Sequence, residues 1–390
     1  MQTAARMLSL KPYFFAGLGA RINELRAAGK DVIRLDMGSP DLPPAPFIVE
    51  AMKQSADQAD HHGYQPFGGP AAFRQAVSDY YGKRFGVELD SAGEIVGLIG
   101  SKEGIFNVAQ AYLNPGDVAL VPDPGYPTYT AGALFAGAEI HYMPLLEKNN
   151  FLPDLAAIPA DKLKRAKILW LNYPNNPTGA VATAEFFAEA VDFARRHDIL
   201  LCHDAPYAEI GYDGYRPISL LQVPGAKDVA VEFNSLSKAY NMGGWRLGMA
   251  AGNAEAIKAI HTLKSNMDSA SFMPLYDAGV VALNGDQSWL RQRNLVYEER
   301  RDIVVEGLRS AGLEVHTPRA AIYVWPSVPV GMKSADFTTA LLEEAGVSIT
   351  PGSVFGPSGE GYARISLGLA TPRVREAMER VEEWVRKKRG

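Results

Sequence analysis

The strongest constraint on this chain is a series of short, continuous apolar runs separated by helical patterns through its middle. The runs are Glu94–Gly100, Val118–Pro122, Glu139–Leu145, Ile168–Asn172, Ile199–Asp204, Val229–Asn234 and Leu247–Gly252. A strand with one wet face alternates apolar and polar residues. A strand apolar throughout is buried on both faces, so helices must cover both sides of its sheet. The intervening stretches supply such helices. One is Ala184–Arg196, with Thr183 placed as its N-cap. This alternation predicts an α/β fold built on a parallel sheet.

The chain has 390 residues, more than one compact core usually holds, so two domains are expected. After about Gly285 the pattern changes. A long charged helix, Trp289–Ser310, leads to strand-like Ala321–Trp325. A helix near Ala335–Ala345 follows, then strands around Val347–Ile349 and Ala363–Leu367. A last helix starts at Thr371-Pro372, read as an N-cap followed by proline. This is the pattern of a smaller α+β domain. Residues up to about Pro46 show no sheet of their own and read as an arm packed on the small domain or on a partner subunit. The predicted division is 1–46 for the arm and part of the small domain, 47–285 for the large domain and 286–390 for the rest of the small one.

Composition narrows the function. A net charge of −5 gives no general basic surface for nucleic acid. No run of about 20 apolar residues marks a membrane span, and the N-terminus does not read as a signal peptide. The single cysteine, Cys202, excludes an internal disulfide framework and agrees with a reducing cytoplasm. It reads as a buried structural thiol. His61-His62 has no metal-ligand spacing with other His or Cys residues, so no metal site is expected. Gly100–Gly104 lacks the Ser or Thr that follows the lysine of a nucleotide phosphate loop.

In open parallel sheets, ligands sit at the carboxyl ends of the strands. Polar groups cluster after those ends in this chain. Ser101 and Lys102 follow the first run at a helix start, and Tyr126 follows the second. Asn176 lies in the turn Asn175–Gly179. Asp204 and Tyr207 end the fifth run. Ser235, Ser237 and Lys238 end the sixth, with Arg246 just beyond. Pyridoxal phosphate needs this set: a lysine for its aldehyde and a carboxylate that keeps its pyridine nitrogen protonated. It also needs helix-terminal N–H groups, hydroxyls and an arginine for its phosphate, and an aromatic face for its ring.

The segments Asp36–Asp41, Gly100–Gly104, Pro124–Pro127, Asn175–Gly179, Asp204–Tyr207, Ser235–Gly248 and Ala363–Ser366 run in one order over nearly the whole chain. As a set they resemble the fold-type I, class I/II aminotransferases. The resemblance implies a large domain with a mixed, mostly parallel seven-stranded sheet plus a smaller α+β domain. It also implies site roles. Lys238 holds the cofactor aldehyde as a Schiff base and later moves a proton. Asp204 pairs with the pyridine nitrogen. Tyr207 and Asn176 bind the phenolic oxygen, and Tyr126 stacks on the ring. Ser101 and Lys102 (through backbone N–H), Ser235, Ser237 and Arg246 hold the phosphate. Arg364 grips the substrate α-carboxylate, helped by Asn176 and the backbone of Gly38. Tyr64 reaches the neighbouring subunit's phosphate, which makes the expected assembly a homodimer with shared sites.

A finer likeness rests on Lys11–Ala16, Gly100–Gly104 and the stretch from Val229 to Arg246. These resemble the LL-diaminopimelate aminotransferases, and almost as closely the alanine–glutamate aminotransferases. Either implies amino-acid and keto-acid substrates with glutamate/2-oxoglutarate as one pair. Ser39 and Ala239 depart from many relatives. Two other functions stay open at this stage. A β-lyase uses the same groups, and a non-catalytic cofactor-binding regulator would keep the pocket. The absence of residues ahead of the arm for a DNA-binding domain disfavours the regulator.

Overall fold

The computed structural model describes residues 1–8 and 14–389; Lys11, Pro12 and Tyr13 of the finer likeness lie outside the described residues. Ile33–Arg34 forms β1. The seven expected apolar runs become β2 (Ile95–Leu98), β3 (Val118–Asp123), β4 (Glu139–Pro144), β5 (Ala166–Asn172), β6 (Leu200–Asp204), β7 (Ala230–Ser235) and β8 (Gly248–Gly252). They form one sheet in the order β2-β8-β7-β6-β5-β3-β4. Strand β8 runs antiparallel to both of its neighbours, and the other pairs are parallel.

The pleat explains why the runs are apolar throughout. On β5, Ile168 and Trp170 face one side with Cys202, Val231 and Phe233. Leu169 and Leu171 face the other, against Phe186, Phe187 and Ala190 of a covering helix. Each fully buried large side chain of this kind stabilises the fold by about 1.5–3 kcal/mol relative to exposure. The covering helix is Ala184–His197. The Thr183 hydroxyl accepts the Phe186 N–H at 3.2 Å, and the helix stops at Asp198, which adopts φ 53°. Cap, apolar stripe and stop agree with the sequence.

The C-terminal third carries β9 (Tyr323–Val324), β10 (Val347–Ser348), β11 (Thr350–Pro351) and β12 (Ala363–Ser366). Strand β12 pairs antiparallel with β9 and β11. Helices Ser288–Ser310 and Thr371–Arg389 pack together over them, sharing a core of Val304, Leu308, Ile322, Val324, Ile365, Val374 and Val381. Helix Ser334–Ala340 continues as a π-helical turn, Leu341–Ala345.

Two expectations need correction. The N-terminal segment is not without sheet: β1 pairs in parallel with β10, Ile33 opposite Val347 and Arg34 opposite Ser348. Two residues are too few to show a period, so the strand is invisible locally and is created by its distant partner. Thr371 is not the N-cap of the last helix. The Ala370 carbonyl accepts the N–H groups of Arg373 and Val374, which makes Thr371 the first helical residue and moves Pro372 to the second.

Tyr207, Ile210 and Tyr212, just beyond β6, enter the core of the C-terminal elements. The exit of β6 is thereby clamped between the large sheet and the smaller strands, and the candidate site opens there. No helix among the described residues is long and apolar enough to cross a membrane. No cluster of three or more His, Cys, Asp or Glu residues that could hold a metal ion occurs among them.

Candidate active site

Strand ends build the site. Asn172 closes β5 opposite Asp204, which closes β6. The Asn172 side chain donates to the Asp204 carbonyl at 2.7 Å, and its oxygen accepts the Asn176 N–H at 2.8 Å. One asparagine thus fixes both the tip of β6 and the turn that follows β5. Within that turn the Asn175 side-chain oxygen accepts the Thr178 N–H and hydroxyl. Good turn chemistry and the presentation of Asn176 are the same structure.

The antiparallel course of β8 explains how Arg246 reaches the rim although it precedes a strand. Gly248 pairs with Ser235, so β8 starts where β7 ends. Two glycines let the backbone close up. Gly100 adopts φ +75°, and a Cβ there would meet Arg246 Nη2 at 2.5 Å. A Cβ on Gly248 would meet the Ser101 nitrogen at 2.8 Å. Guanidinium, helix start and serine loop therefore line one polar cradle.

A cavity of about 420 Å³ opens at this rim. Gly38, Ser101, Lys102, Tyr126, Asn176, Asp204, Tyr207, Ser235, Ser237, Lys238, Arg246 and Arg364 all line it. Tyr64 does not, and its side chain stands exposed at 94% on a separate loop. Four cations and one carboxylate face the space, a balance suited to anionic ligands.

Lys238 Nζ donates to the Gly38 carbonyl at 2.6 Å. Burial, with the positive charges of Arg364 and Arg246, pulls its titration down to about 8. Asp204 lies buried at the floor. Its Oδ2 accepts the Tyr129 hydroxyl at 2.7 Å, while Oδ1 is buried without a partner. Burial raises its titration to about 6, against the opposing pull of the Tyr129 bond and of His203. Tyr129 is itself held by stacking on Trp170, ring centres 4.8 Å apart.

Arg364 Nη1 donates to Asn176 Oδ1 at 3.0 Å and Nη2 to the Asp36 carbonyl at 2.8 Å, leaving Nε buried and unpartnered. Its guanidinium lies over the rings of Tyr323 (4.4 Å) and Phe355 (4.7 Å). The Tyr323 hydroxyl shares a 2.8 Å hydrogen bond with that of Tyr207. A Cβ on Gly38 would lie 2.3 Å from the Tyr323 oxygen, so a glycine is required there.

Sequence reasoning missed Tyr129, Tyr323 and Phe355. Tyr129 had a signal, because it lies three residues after Tyr126 on the helix Pro127–Phe135 and so near the same face. Tyr323 sits inside an apolar strand and reads only as core.

A lysine, a buried carboxylate, a polar cradle and a caged arginine meet at the carboxyl rim of this sheet, an enzyme-type site suited to anionic ligands. Comparison with known proteins agrees. The family model "Aminotransferase class I and II" matches residues 30–381. The LL-diaminopimelate aminotransferase of Moorella thermoacetica is 51% identical over 381 residues, covering 98% of each chain. That of Desulforudis audaxviator is 52% identical, covering 97% of this chain and 96% of the relative. Among solved structures, substrate-bound BacF from Bacillus subtilis superposes with a TM-score of 0.95 at 36% identity, covering 98% of both chains. An aspartate aminotransferase mutant of Thermus thermophilus gives 0.91 at 30% identity, covering 98% of this chain and 99% of that one. The chain belongs to the class I and II aminotransferases.

Proposed function

We propose that this enzyme is an LL-diaminopimelate aminotransferase that uses pyridoxal phosphate, with glutamate/2-oxoglutarate as one substrate pair, in lysine biosynthesis in the cytoplasm. The observation that carries the substrate assignment is identity near 50% over almost the full length to several relatives bearing that name.

The residues present fit the cofactor. The orphaned, buried Oδ1 of Asp204 lacks a cationic donor, which a protonated pyridine nitrogen supplies. The glycine-lined cradle of Ser101, Lys102, Ser235, Ser237 and Arg246 suits a phosphate. When bound, pyridoxal phosphate supplies an aldehyde carbon and an electron-withdrawing ring. Lys238 would hold the aldehyde, and its amine, when free, would accept the proton from the substrate Cα. In the cofactor-free chain its titration near 8 leaves part of that amine unprotonated at neutral pH. Asp204 would hold the ring-nitrogen proton, Tyr126 would cover the ring, and Tyr207 and Asn176 would direct polar hydrogens at its phenolic oxygen. Arg364, with Asn176 and Gly38, orients the substrate carboxylate.

We extend the proposal to a homodimer whose chain divides into an arm and part of the small domain at 1–46, a large domain at 47–285 and the rest of the small domain at 286–390. Exposed aromatic groups support the interface. The His62 ring meets exposed Phe272 at 5.4 Å, close to the loop that carries Tyr64. Phe272 also borders a surface pocket that shares Arg246 with the main cavity. Tyr64 of the partner subunit would complete the phosphate site from there.

Labelled glutamate offered with different keto acceptors tests the substrate. Transfer to tetrahydrodipicolinate, yielding LL-diaminopimelate, is expected. Transfer to pyruvate in preference would replace this assignment with an alanine–glutamate aminotransferase. Pyruvate release from cysteine without a keto acceptor would point to a lyase.

A further inference from the structure

Lys264 is a lysine on helix Ala254–Met267 whose side chain has no exposure at all. It makes no contact with the cavity described above. Its ammonium donates to Glu103 Oε1 at 3.1 Å and to Asp268 Oδ1 at 2.7 Å. A charge so deeply buried is costly unless it is paired and does something for the structure.

What it holds is the start of the helix Ser101–Tyr112. Glu103 is the third residue of that helix, and its Oε2 reaches back to accept the Ile99 N–H at 2.6 Å. Oε1 also accepts from the Asn107 side chain at 2.9 Å. The carboxylate therefore ties the start of the turn Ile99–Gly100–Ser101 to the helix that follows it, and Gly100 in that turn takes φ +75°. That turn aims the first N–H groups of the helix, those of Ser101 and Lys102, out of the helix end. It also sets the gap in which Gly100 meets Arg246.

A carboxylate in the first turn of an anion-binding helix presents an electrostatic problem, since it repels the anion bound there. Lys264, shared with Asp268, sits on that carboxylate and offsets part of its charge. Glu103 can then act as a geometric clamp while repelling a bound anion less than a bare carboxylate would.

We propose that Glu103 and Lys264 are positioning residues for the phosphate group: a buried ion pair that presets the Ile99–Ser101 turn and so tunes affinity for phosphate, not for the aldehyde or ring. The inference rests on the proposed reading of the cavity as a pyridoxal phosphate site.

The test compares three probes on the full chain freed of cofactor: pyridoxal phosphate, pyridoxal without its phosphate, and inorganic phosphate as a competitor. In Glu103→Ala, affinity for pyridoxal phosphate and for inorganic phosphate is expected to fall about tenfold or more, while pyridoxal stays within about twofold. Glu103→Gln keeps an acceptor for the Ile99 N–H and is expected to recover most of the loss. Lys264→Met keeps the Glu103 clamp but leaves Glu103 and Asp268 without their shared cation, and should weaken the same two phosphate-bearing probes by about threefold or more. Should Glu103→Ala not fold, Lys264→Met decides by the same comparison. Parallel loss of pyridoxal and pyridoxal phosphate, or unchanged phosphate affinity in the folded variants, would overturn the inference and leave the pair as a tie between two helices. Failure of the parent chain to bind either pyridoxal phosphate or inorganic phosphate would instead overturn the cavity reading, before any variant is compared.

Discussion

The Tyr129 hydroxyl donates to Oδ2 of Asp204 at 2.7 Å and leaves Oδ1 as the single unpartnered oxygen of that carboxylate. The bond does two things. It fixes which oxygen faces the cavity, and it opposes the burial that lifts the carboxylate to about 6. Tyr129→Phe keeps the ring on Trp170 and removes only the bond. Asp204 of the cofactor-free chain should then titrate higher still, so that chain should lose affinity for pyridoxal phosphate at a higher pH on the acid side. A drop in kcat of about tenfold should accompany it. The pH dependence of cofactor affinity checks the first and turnover the second, and an unmoved acid-side loss of affinity would mean that Tyr129 is only packing.

Lys238 gives a prediction of opposite sign, on stability. Its amine titrates near 8 in the folded cofactor-free chain against an ordinary 10.5. Between those values the unfolded chain binds more protons than the folded one, so stability rises with pH across the window. Below it, the full cost of burying the ammonium is present. Lys238→Met should therefore be more stable than the cofactor-free parent at pH 7, by roughly 1–2 kcal/mol once partial solvation is allowed for. The advantage should shrink by pH 10.5. Urea melts at the two pH values measure it, and a pH-independent difference would contradict the assignment.

Gly38 and Tyr323 form a steric pair. A methyl group on Gly38 would lie 2.3 Å from the Tyr323 hydroxyl oxygen. Gly38→Ala should cost about 1–3 kcal/mol, the usual range for overpacking, and disturb the Tyr323–Tyr207 bond. Adding Tyr323→Phe removes the clashing oxygen and should recover part of that loss. A double-mutant cycle in thermal melts reads the coupling. Additive effects would show that the two positions are independent.

Arg364 should respond to loss of shape even when charge is kept. Its planar fork is already spent in part on Asn176 and the Asp36 carbonyl. Arg364→Lys keeps the cation but cannot reproduce that fork. KM for dicarboxylate and monocarboxylate amino acids should rise alike, by about a hundredfold. A rise for dicarboxylates alone would mean that Arg364 reads the side chain and not the α-carboxylate.

The large sheet was legible because burial on both faces leaves its mark in each strand by itself. Each of the seven runs lies within about two residues of its strand, and the residues just beyond them line the cavity. What escaped notice was made by distant partners. Strand β1 exists because Val347–Ser348 lies beside it. Asn172 ended a predicted strand, but its role as the bolt between β6 and the Asn175–Gly179 turn depends on the register between strands. Tyr323 has nothing in its local sequence to separate it from core, since only the fold brings Gly38, Tyr207 and Arg364 around it. Lys264 likewise reads as an ordinary helical lysine until its burial against Glu103 is known.

The most direct test of the central claim is a single-turnover reaction. The cofactor-loaded protein is mixed with glutamate alone, with no keto acid present, and absorbance and products are followed together. Loss of the yellow aldehyde absorbance with about one equivalent of 2-oxoglutarate per site is expected, and Lys238→Ala should not release it at a measurable rate. No 2-oxoglutarate from glutamate or keto acid from any other amino acid, or normal release by Lys238→Ala, would contradict the assignment.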